Sequence, residues 1–99
     1  MRSGYKVLWT ENALSELGST YQYLEQNFSK SELKKLSIEI DKILKLISKN
    51  PKMFPISIKK KVRRVVIKRF NTMYYQENDN TIEILSFFSN RQNLDKINL

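Results

Sequence analysis

Two apolar stripes with helical spacing run almost without interruption through the first half of the sequence, and they constrain the fold more than any other feature. Leucine, isoleucine and aromatic residues recur there at steps of three and four residues, which is the period of one face of an α-helix. The first stripe comprises Leu14, Leu17, Tyr21, Leu24 and Phe28. The second stripe comprises Leu33, Leu36, Ile40, Ile43, Leu44 and Ile47. The sequence therefore predicts two consecutive amphipathic helices.

Polar residues mark where each predicted helix begins and ends. Thr10 can cap the first helix, and residues 29–32, Ser-Lys-Ser-Glu, have the pattern of a capping box for the second. Asn50 and Pro51 end the second helix, because proline cannot continue it. With so short a connection between them, the helices are expected to pack antiparallel, against each other and against a sheet.

The remaining apolar residues alternate as they do in β-strands. Tyr5, Val7 and Trp9 share one face of a first strand. Segments 62–70, 72–77 and 81–88 predict three more strands, and residues 78–80, Asn-Asp-Asn, predict a hairpin turn before the last. The order strand, helix, helix and three strands defines an α+β fold, β-α-α-β-β-β, with a helical hairpin on one face of a small antiparallel-rich sheet.

The last strand is apolar on both of its predicted faces. Ile82 and Ile84 lie on one face, and Leu85 and Phe87 lie on the other. A strand of this kind is usually central and covered on both sides. Because the helices cover only one side, we expect a partner chain to cover the second. We expect a common core from Trp9, Leu17, Tyr21, Ile40, Ile43 and Ile84.

Length and composition exclude several classes of protein. A chain of 99 residues fits a single domain, residues 1–99. It has neither cysteine nor histidine, so disulfides, thiolate metal sites and the usual proton shuttle are absent, and we expect no metal and no cofactor. It has no apolar run that could span a membrane and no secretory signal. We therefore expect a cytoplasmic location.

The positive charge is concentrated in one short segment. The formal net charge is +8, and residues 59–69, KKKVRRVVIKR, hold seven of the 18 basic residues and no acidic residue. We call residues 59–69 the basic segment. A focused field of this kind attracts a polyanion, either nucleic acid or an acidic protein, although it can also be a solvated face without a specific partner.

Three stretches in fixed order resemble the RelE/ParE family of type II toxin–antitoxin toxins. They are YKVLWTENALSEL at residues 5–17, KNPKMFP at 49–55 and VRRVVIKRFNTMYYQENDNTIEILSFFSNRQN at 62–93. The resemblance covers almost the whole chain. It implies a toxin held in a hetero-oligomer by an acidic cognate antitoxin. It also implies one of two activities on the same fold, either cutting of messenger RNA on the ribosome or poisoning of DNA gyrase.

The RelE-like nucleases use cations on the second strand, an arginine on the third, an arginine after the fourth and an aromatic residue or histidine in the tail. Here the second strand offers Arg63 and Arg64, and Arg91 follows the fourth strand. The third-strand position is Thr72, and residues 96–98 of the tail, Lys-Ile-Asn, contain no aromatic residue. Cleavage needs a proton donor and acceptor, for which Tyr74 and Tyr75 are the possible substitutes, Tyr75 being the one we name if the chain is a nuclease.

These gaps favour a gyrase poison that is not itself an enzyme, with DNA gyrase as its target. The alternative is a ribosome-dependent mRNA endonuclease, whose catalytic residues would be Arg63, Arg64, Arg91 and Tyr75 and whose partners would be ribosome and mRNA. A third alternative is a non-toxic basic module. Under any of them, the residues expected to bind a partner or phosphate are Lys59, Lys60, Lys61, Arg63, Arg64, Lys68, Arg69 and Arg91.

Overall fold

The computed structural model describes residues 4–57 and 61–89. In chain order its elements are β1 (Lys6–Trp9), α1 (Glu11–Asn27), α2 (Lys30–Lys49), β2 (Arg63–Ile67), β3 (Asn71–Asn78) and β4 (Thr81–Ser89). This order confirms the β-α-α-β-β-β fold class, with two helices packed on one sheet.

The four strands form one mixed sheet in the order β1-β4-β3-β2. Antiparallel hairpins join β2 to β3 and β3 to β4, whereas β1 lies parallel to β4. The first strand along the chain therefore adds to the last strand. β4 and β3 are central, and β1 and β2 form the edges.

Both predicted helix starts are confirmed. The hydroxyl of Thr10 accepts a hydrogen bond from the backbone N–H of Ala13 at 3.2 Å, and the hydroxyl of Ser29 accepts one from Glu32 at 3.3 Å. Each bond satisfies a backbone donor that has no partner inside its helix. Only Phe28 and Ser29 separate α1 from α2, which forces the helices to run back along each other.

The buried side of α2 follows its predicted stripe, but that of α1 is shifted. Leu36, Ile40 and Ile47 of α2 are buried. In α1 the buried residues are Ala13, Thr20 and Leu24, and Leu17 and Tyr21 are half-buried. Leu14 and Phe28 are 52% and 43% exposed, so their assignment to the buried stripe is wrong. The small side chains of Ala13 and Thr20 allow α1 to lie close to the sheet, and this turns the larger residues at the stripe's ends outward.

The core forms where α1 and α2 meet the inward side of the sheet. Of the six residues expected to form it, Ile40 and Ile84 are buried, and the others pack half-buried against them. The sheet contributes the residues Val65, Ile67, Met73, Tyr75, Ile82, Ile84 and Phe87, each at most 3% exposed.

A β-bulge in β4 overturns the expectation of two apolar faces. Tyr74 pairs with Ser86, but the next residue of β3, Tyr75, pairs with Ile84, so Leu85 is an extra residue on β4. The extra residue shifts the alternation by one position. Phe87 consequently lies on the same side as Ile84, where the helices bury both. No partner chain is needed to cover Phe87.

Polar side chains at the start of α1 hold the bulge. β1 ends at Trp9, opposite Ile84, so among the described residues the second half of β4 has no strand neighbour on that side. Thr10 donates its hydroxyl to the carbonyl of Ile84 at 2.8 Å. Asn12 donates its amide to the carbonyl of Leu85 at 3.0 Å.

Glu16 completes this arrangement one turn further along α1. Its carboxylate accepts hydrogen bonds from the Ser86 hydroxyl at 2.8 Å and from the backbone N–H of Phe87 at 3.0 Å. Buried backbone groups need such partners, because an unpaired one costs free energy. The side chains of α1 thus take the place of a neighbouring strand.

Two isoleucines of α2 provide a matched test of the helix orientation. Ile40 is 4% exposed and Ile38 is 48% exposed. We expect Ile40→Ala to lower the free energy of unfolding by about 2–5 kcal/mol, because it leaves a cavity in the core. Ile38→Ala should change it by less than about 1 kcal/mol. Denaturant unfolding followed by circular dichroism measures both, and equal losses would show that α2 is rotated from the described orientation.

Candidate functional site

The alternation of β2 separates the two adjacent arginines of the basic segment. Val65 and Ile67 are buried on the helix-covered side, and Arg63 shares their face by period two. Arg64 and Val66 lie on the opposite, helix-free face, where both are exposed. Arg63 and Arg64 therefore serve different surfaces although they are neighbours in sequence.

Arg63 fastens the loop that follows α2 to the sheet. Its Nη1 donates to the carbonyl of Phe54 at 2.8 Å and to that of Lys52 at 3.3 Å. Its Nη2 lies 3.5 Å from the carboxylate of Glu77, and the Arg63 side chain is only 12% exposed. A guanidinium can satisfy several carbonyls at once because its donors form a rigid fork. The charge of Arg63 is thus used within the chain.

Tyr75, which pairs with Arg63 across the sheet, holds the start of the same loop. Its hydroxyl donates to the carbonyl of Pro51 at 2.9 Å, and the residue is fully buried. Burial raises the pKa of Tyr75 to about 12, against the opposing effect of the nearby Arg63 charge. The phenol is therefore protonated at neutral pH, and it faces the core. Neither Arg63 nor Tyr75, both named for a nuclease site, is presented at the surface of this structure.

Arg64 lies beside a groove on the helix-free face. Its lining combines one cation, one aromatic ring and mainly apolar side chains, and the groove encloses about 590 Å3. The lining residues are Pro55, Ile56, Ser57, Val62, Arg64 and Tyr74.

The turn between β2 and β3 presents two cations on a strained backbone. Lys68 and Arg69 have φ angles of 49° and 70°, in the left-handed region. Consecutive left-handed residues are typical of a hairpin turn that favours Asn-Gly, and other residues pay a conformational cost there. Both residues are exposed, and the Arg69 guanidinium lies 5.9 Å from the centre of the Phe70 ring. The positions are occupied by charge against backbone preference.

The other candidate positions are distributed as follows. Lys61 is exposed, with a φ of 56°. Thr72, at the position where the resemblance implies an arginine, pairs with Val66 and Phe88 and is 7% exposed. Lys59, Lys60 and Arg91 lie outside the described residues, as do residues 96–98 of the tail.

Residues 4–57 and 61–89 contain no group of three or more acidic, histidine or cysteine side chains that could hold a metal ion. Within the same ranges, neither helix is long and apolar enough to cross a membrane.

Sequence reasoning missed the wall of the groove. Ile56, which forms part of that wall, is 44% exposed. The available signal was the pair of prolines, Pro51 and Pro55, which bracket a short segment beside the basic strand. Glu16 was also missed, because its partners lie 70 residues further along the chain.

The family model described as "ParE toxin of type II toxin-antitoxin system, parDE" matches residues 7–94. The chain belongs to this ParE toxin family. No curated protein matches the chain with significance.

Solved structures agree on the fold. A chain of the chromosomal ParDE toxin–antitoxin system from Pseudomonas aeruginosa matches with a TM-score of 0.71 and 17% identity, over 86% of this chain and 95% of that chain. Two structures of TrmO from the same organism match with TM-scores of 0.54 and 0.52 and identities of 17% and 16%. They cover 90% and 87% of this chain but only 37% and 34% of theirs.

The two adjacent arginines should respond differently to truncation. We expect Arg63→Ala to lower the free energy of unfolding by about 2–3 kcal/mol, because it removes charge-assisted hydrogen bonds and leaves carbonyls without partners. Arg64→Ala should change it by no more than about 0.5 kcal/mol, as is usual for an exposed side chain. Thermal or denaturant unfolding measures the difference. An Arg64→Ala variant that is as unstable as Arg63→Ala would contradict the assigned faces.

Relaxing the β2–β3 turn should stabilise the protein. We expect Lys68→Asn combined with Arg69→Gly to raise the free energy of unfolding by about 1 kcal/mol, since asparagine and glycine adopt the left-handed region more readily than lysine and arginine do. For a domain of this size, that corresponds to a rise in Tm of about 4–8 °C. The control is Lys68→Gln with Arg69→Gln, which removes the charges but keeps the strain. Equal stabilisation by the control would assign the effect to charge repulsion.

Proposed function

We propose that this chain is the toxin of a type II toxin–antitoxin pair, a single domain over residues 1–99 that acts in the cytoplasm. In this proposal an acidic antitoxin neutralises it in a hetero-oligomer, and the free toxin stops growth by poisoning DNA gyrase through protein contacts. The observation that carries the gyrase target is the poor fit of the described side chains to a nuclease site.

Cleavage of RNA by its own 2′-hydroxyl requires a proton acceptor, a proton donor and cations at the phosphate. Tyr75 is buried and donates its proton to a backbone carbonyl. Arg63 is occupied by the Phe54 and Lys52 carbonyls. Thr72 supplies no charge on β3. These placements support a toxin whose target is reached by protein contact rather than by phosphate chemistry.

An acidic antitoxin is supported by charge and by family. The basic segment places exposed cations, among them Arg64, Lys68 and Arg69, along one edge of the sheet. An acidic partner neutralises such a field and is attracted by it at long range. Membership of the ParE toxin family and the fold shared with the ParDE system point to the same kind of partner.

The alternative is a ribosome-dependent mRNA endonuclease, and one observation favours it. Arg64 is exposed beside Tyr74 in the groove, so the helix-free face offers a cation and an aromatic ring to a nucleotide. Arg91 would then be the second phosphate-binding cation. This alternative still needs a group that transfers the proton.

The two activities are separated with purified wild-type protein. We expect it to block supercoiling by purified gyrase, or to trap gyrase on cleaved DNA, and to leave ribosome-bound message intact. Addition of the antitoxin should reverse the effect on gyrase. Primer extension on programmed ribosomes checks the second half, and codon-specific cutting by clean protein would replace gyrase with mRNA as the target.

Two variants complete this test. Under the nuclease alternative, Arg91→Ala should lower cleavage by about 10²–10³-fold, the usual effect of losing a cation at the transition state. Under the gyrase proposal there is no cleavage to lose. Deleting residues 93–99 then asks whether the tail contributes to gyrase contact, and circular dichroism checks that the shortened chain folds.

A further inference from the structure

β2 is an edge strand whose outer side is only partly occupied. The loop segment that lines the groove runs antiparallel to its start, through a bridge between Ile56 and Arg63. The backbone N–H of Ser57 donates to the carbonyl of Val62 at 2.8 Å, and that of Arg64 donates to the carbonyl of Pro55 at 3.1 Å. Within the described residues this pairing ends at Arg64.

Beyond that point, the outer backbone groups of β2 have no strand partner among the described residues. The N–H of Arg64 points away from β3, and backbone direction in an antiparallel pair repeats every second residue. The N–H and C=O of Val66 therefore also point outward. The Val66 side chain is 54% exposed on the helix-free face. An edge with open donors and acceptors is a template for an added strand.

The side chains along this edge specify the charge of an added strand. Arg64 and Val66 share the helix-free face, and the exposed Lys68 follows β2 as the first residue of the turn. Lys68 and Arg69 occupy left-handed positions that favour Asn and Gly. Residues held at a conformational cost point to selection for what their side chains do. Here the shared property of those side chains is positive charge.

We propose that the outer edge of β2, from Arg64 to Lys68, binds an extended acidic segment of a second protein as an added β-strand. The segment pairs with the backbone of Val66 and carries acidic, apolar and acidic side chains at alternate positions, facing Arg64, Val66 and Lys68. The inference rests on the proposed function only for the source of the segment, which is the antitoxin. The binding mode itself follows from the edge.

Charge and hydrogen bonding select this occupant over two others. In an antiparallel pair of two copies centred on Val66, Arg64 of each copy would lie opposite Lys68 of the other, and facing like charges destabilise a sheet. A nucleic acid would use the cations, but its phosphates do not reproduce the donor and acceptor spacing of a strand. An acidic strand can both pair with the backbone donors and acceptors and place negative charges opposite the cations.

The test uses the full chain and a capped heptapeptide, Thr-Glu-Thr-Val-Thr-Glu-Thr, which has the expected alternation. Binding is measured by titration of backbone amide resonances. We expect the largest shifts at Arg64 and Val66. Val66→Pro removes the outward donor at a position where an edge strand tolerates proline, and should weaken binding about tenfold. Val66→Thr keeps the donor and should weaken it less than about threefold.

Charge reversal gives a second readout that does not depend on proline. We expect Arg64→Glu combined with Lys68→Glu to abolish binding of the acidic heptapeptide. The same variant should gain binding of the heptapeptide with lysine in place of glutamate, because the facing charges are exchanged. If Val66→Pro does not fold, which its amide spectrum shows, this exchange decides the question.

Two results would overturn the inference. One is peptide affinity that neither Val66→Pro nor the charge reversal changes. The other is a uridine octamer that binds wild type and Val66→Pro equally, while the acidic peptide does not bind, which would assign the edge to nucleic acid. Because no gyrase is present in this experiment, either result leaves the proposed gyrase target to be judged by its own assay.

Discussion

The position of the bulge at Leu85 governs the arrangement of β4, and through β4 the rest of the fold. β4 is the strand that joins β1 to the β2–β3 hairpin, so its register fixes what every other strand presents to the helices. With the extra residue in place, Ile82, Ile84 and Phe87 all face α1 and α2. Without it, Phe87 would point away from the core, because the side-chain period of a strand is two.

The bulge in turn depends on α1. Thr10, Asn12 and Glu16 lie within the first two turns of that helix or immediately before it, and they bond to Ile84, Leu85, Ser86 and Phe87. A bulge disrupts the regular ladder and leaves backbone groups without a partner. These three polar side chains supply the hydrogen-bond partners that the ladder lacks at the bulge. The start of α1 and the register of β4 are therefore held in place by the same set of hydrogen bonds.

Local patterns in the sequence predict the elements well and their mutual placement less well. The caps at Thr10 and Ser29 and the α2 stripe involve residues within a few positions of each other, so periodicity is sufficient. The parallel pairing of Lys6–Trp9 with β4 and the side-chain bonds that hold the bulge join residues 70 or more positions apart. No local rule connects them. The error at Phe87 followed from strict alternation, which a bulge interrupts.

The candidate site, too, could be predicted from the sequence only in part. Charge counting locates the basic segment without any structure, because like charges that are adjacent in sequence cannot be far apart in space. It does not show which of these cations are already hydrogen-bonded within the chain. The Arg63 guanidinium is hydrogen-bonded to the loop carbonyls. Arg64 is the next residue in sequence, but its side chain is exposed. That distinction requires knowing the face of β2 that the helices cover.

The division between Arg63 and Arg64 also connects stability to binding. Arg63 and Tyr75 hold residues 51–54 against the sheet, and the same loop continues into Pro55, Ile56 and Ser57, which form the wall of the groove beside Arg64. Arg63 thereby holds in place the wall of the groove beside which Arg64 is exposed. A loss of Arg63 that spares the fold should still loosen this wall. Its effect on partner binding would then arise from positioning, since its guanidinium is already engaged by the loop carbonyls and Glu77.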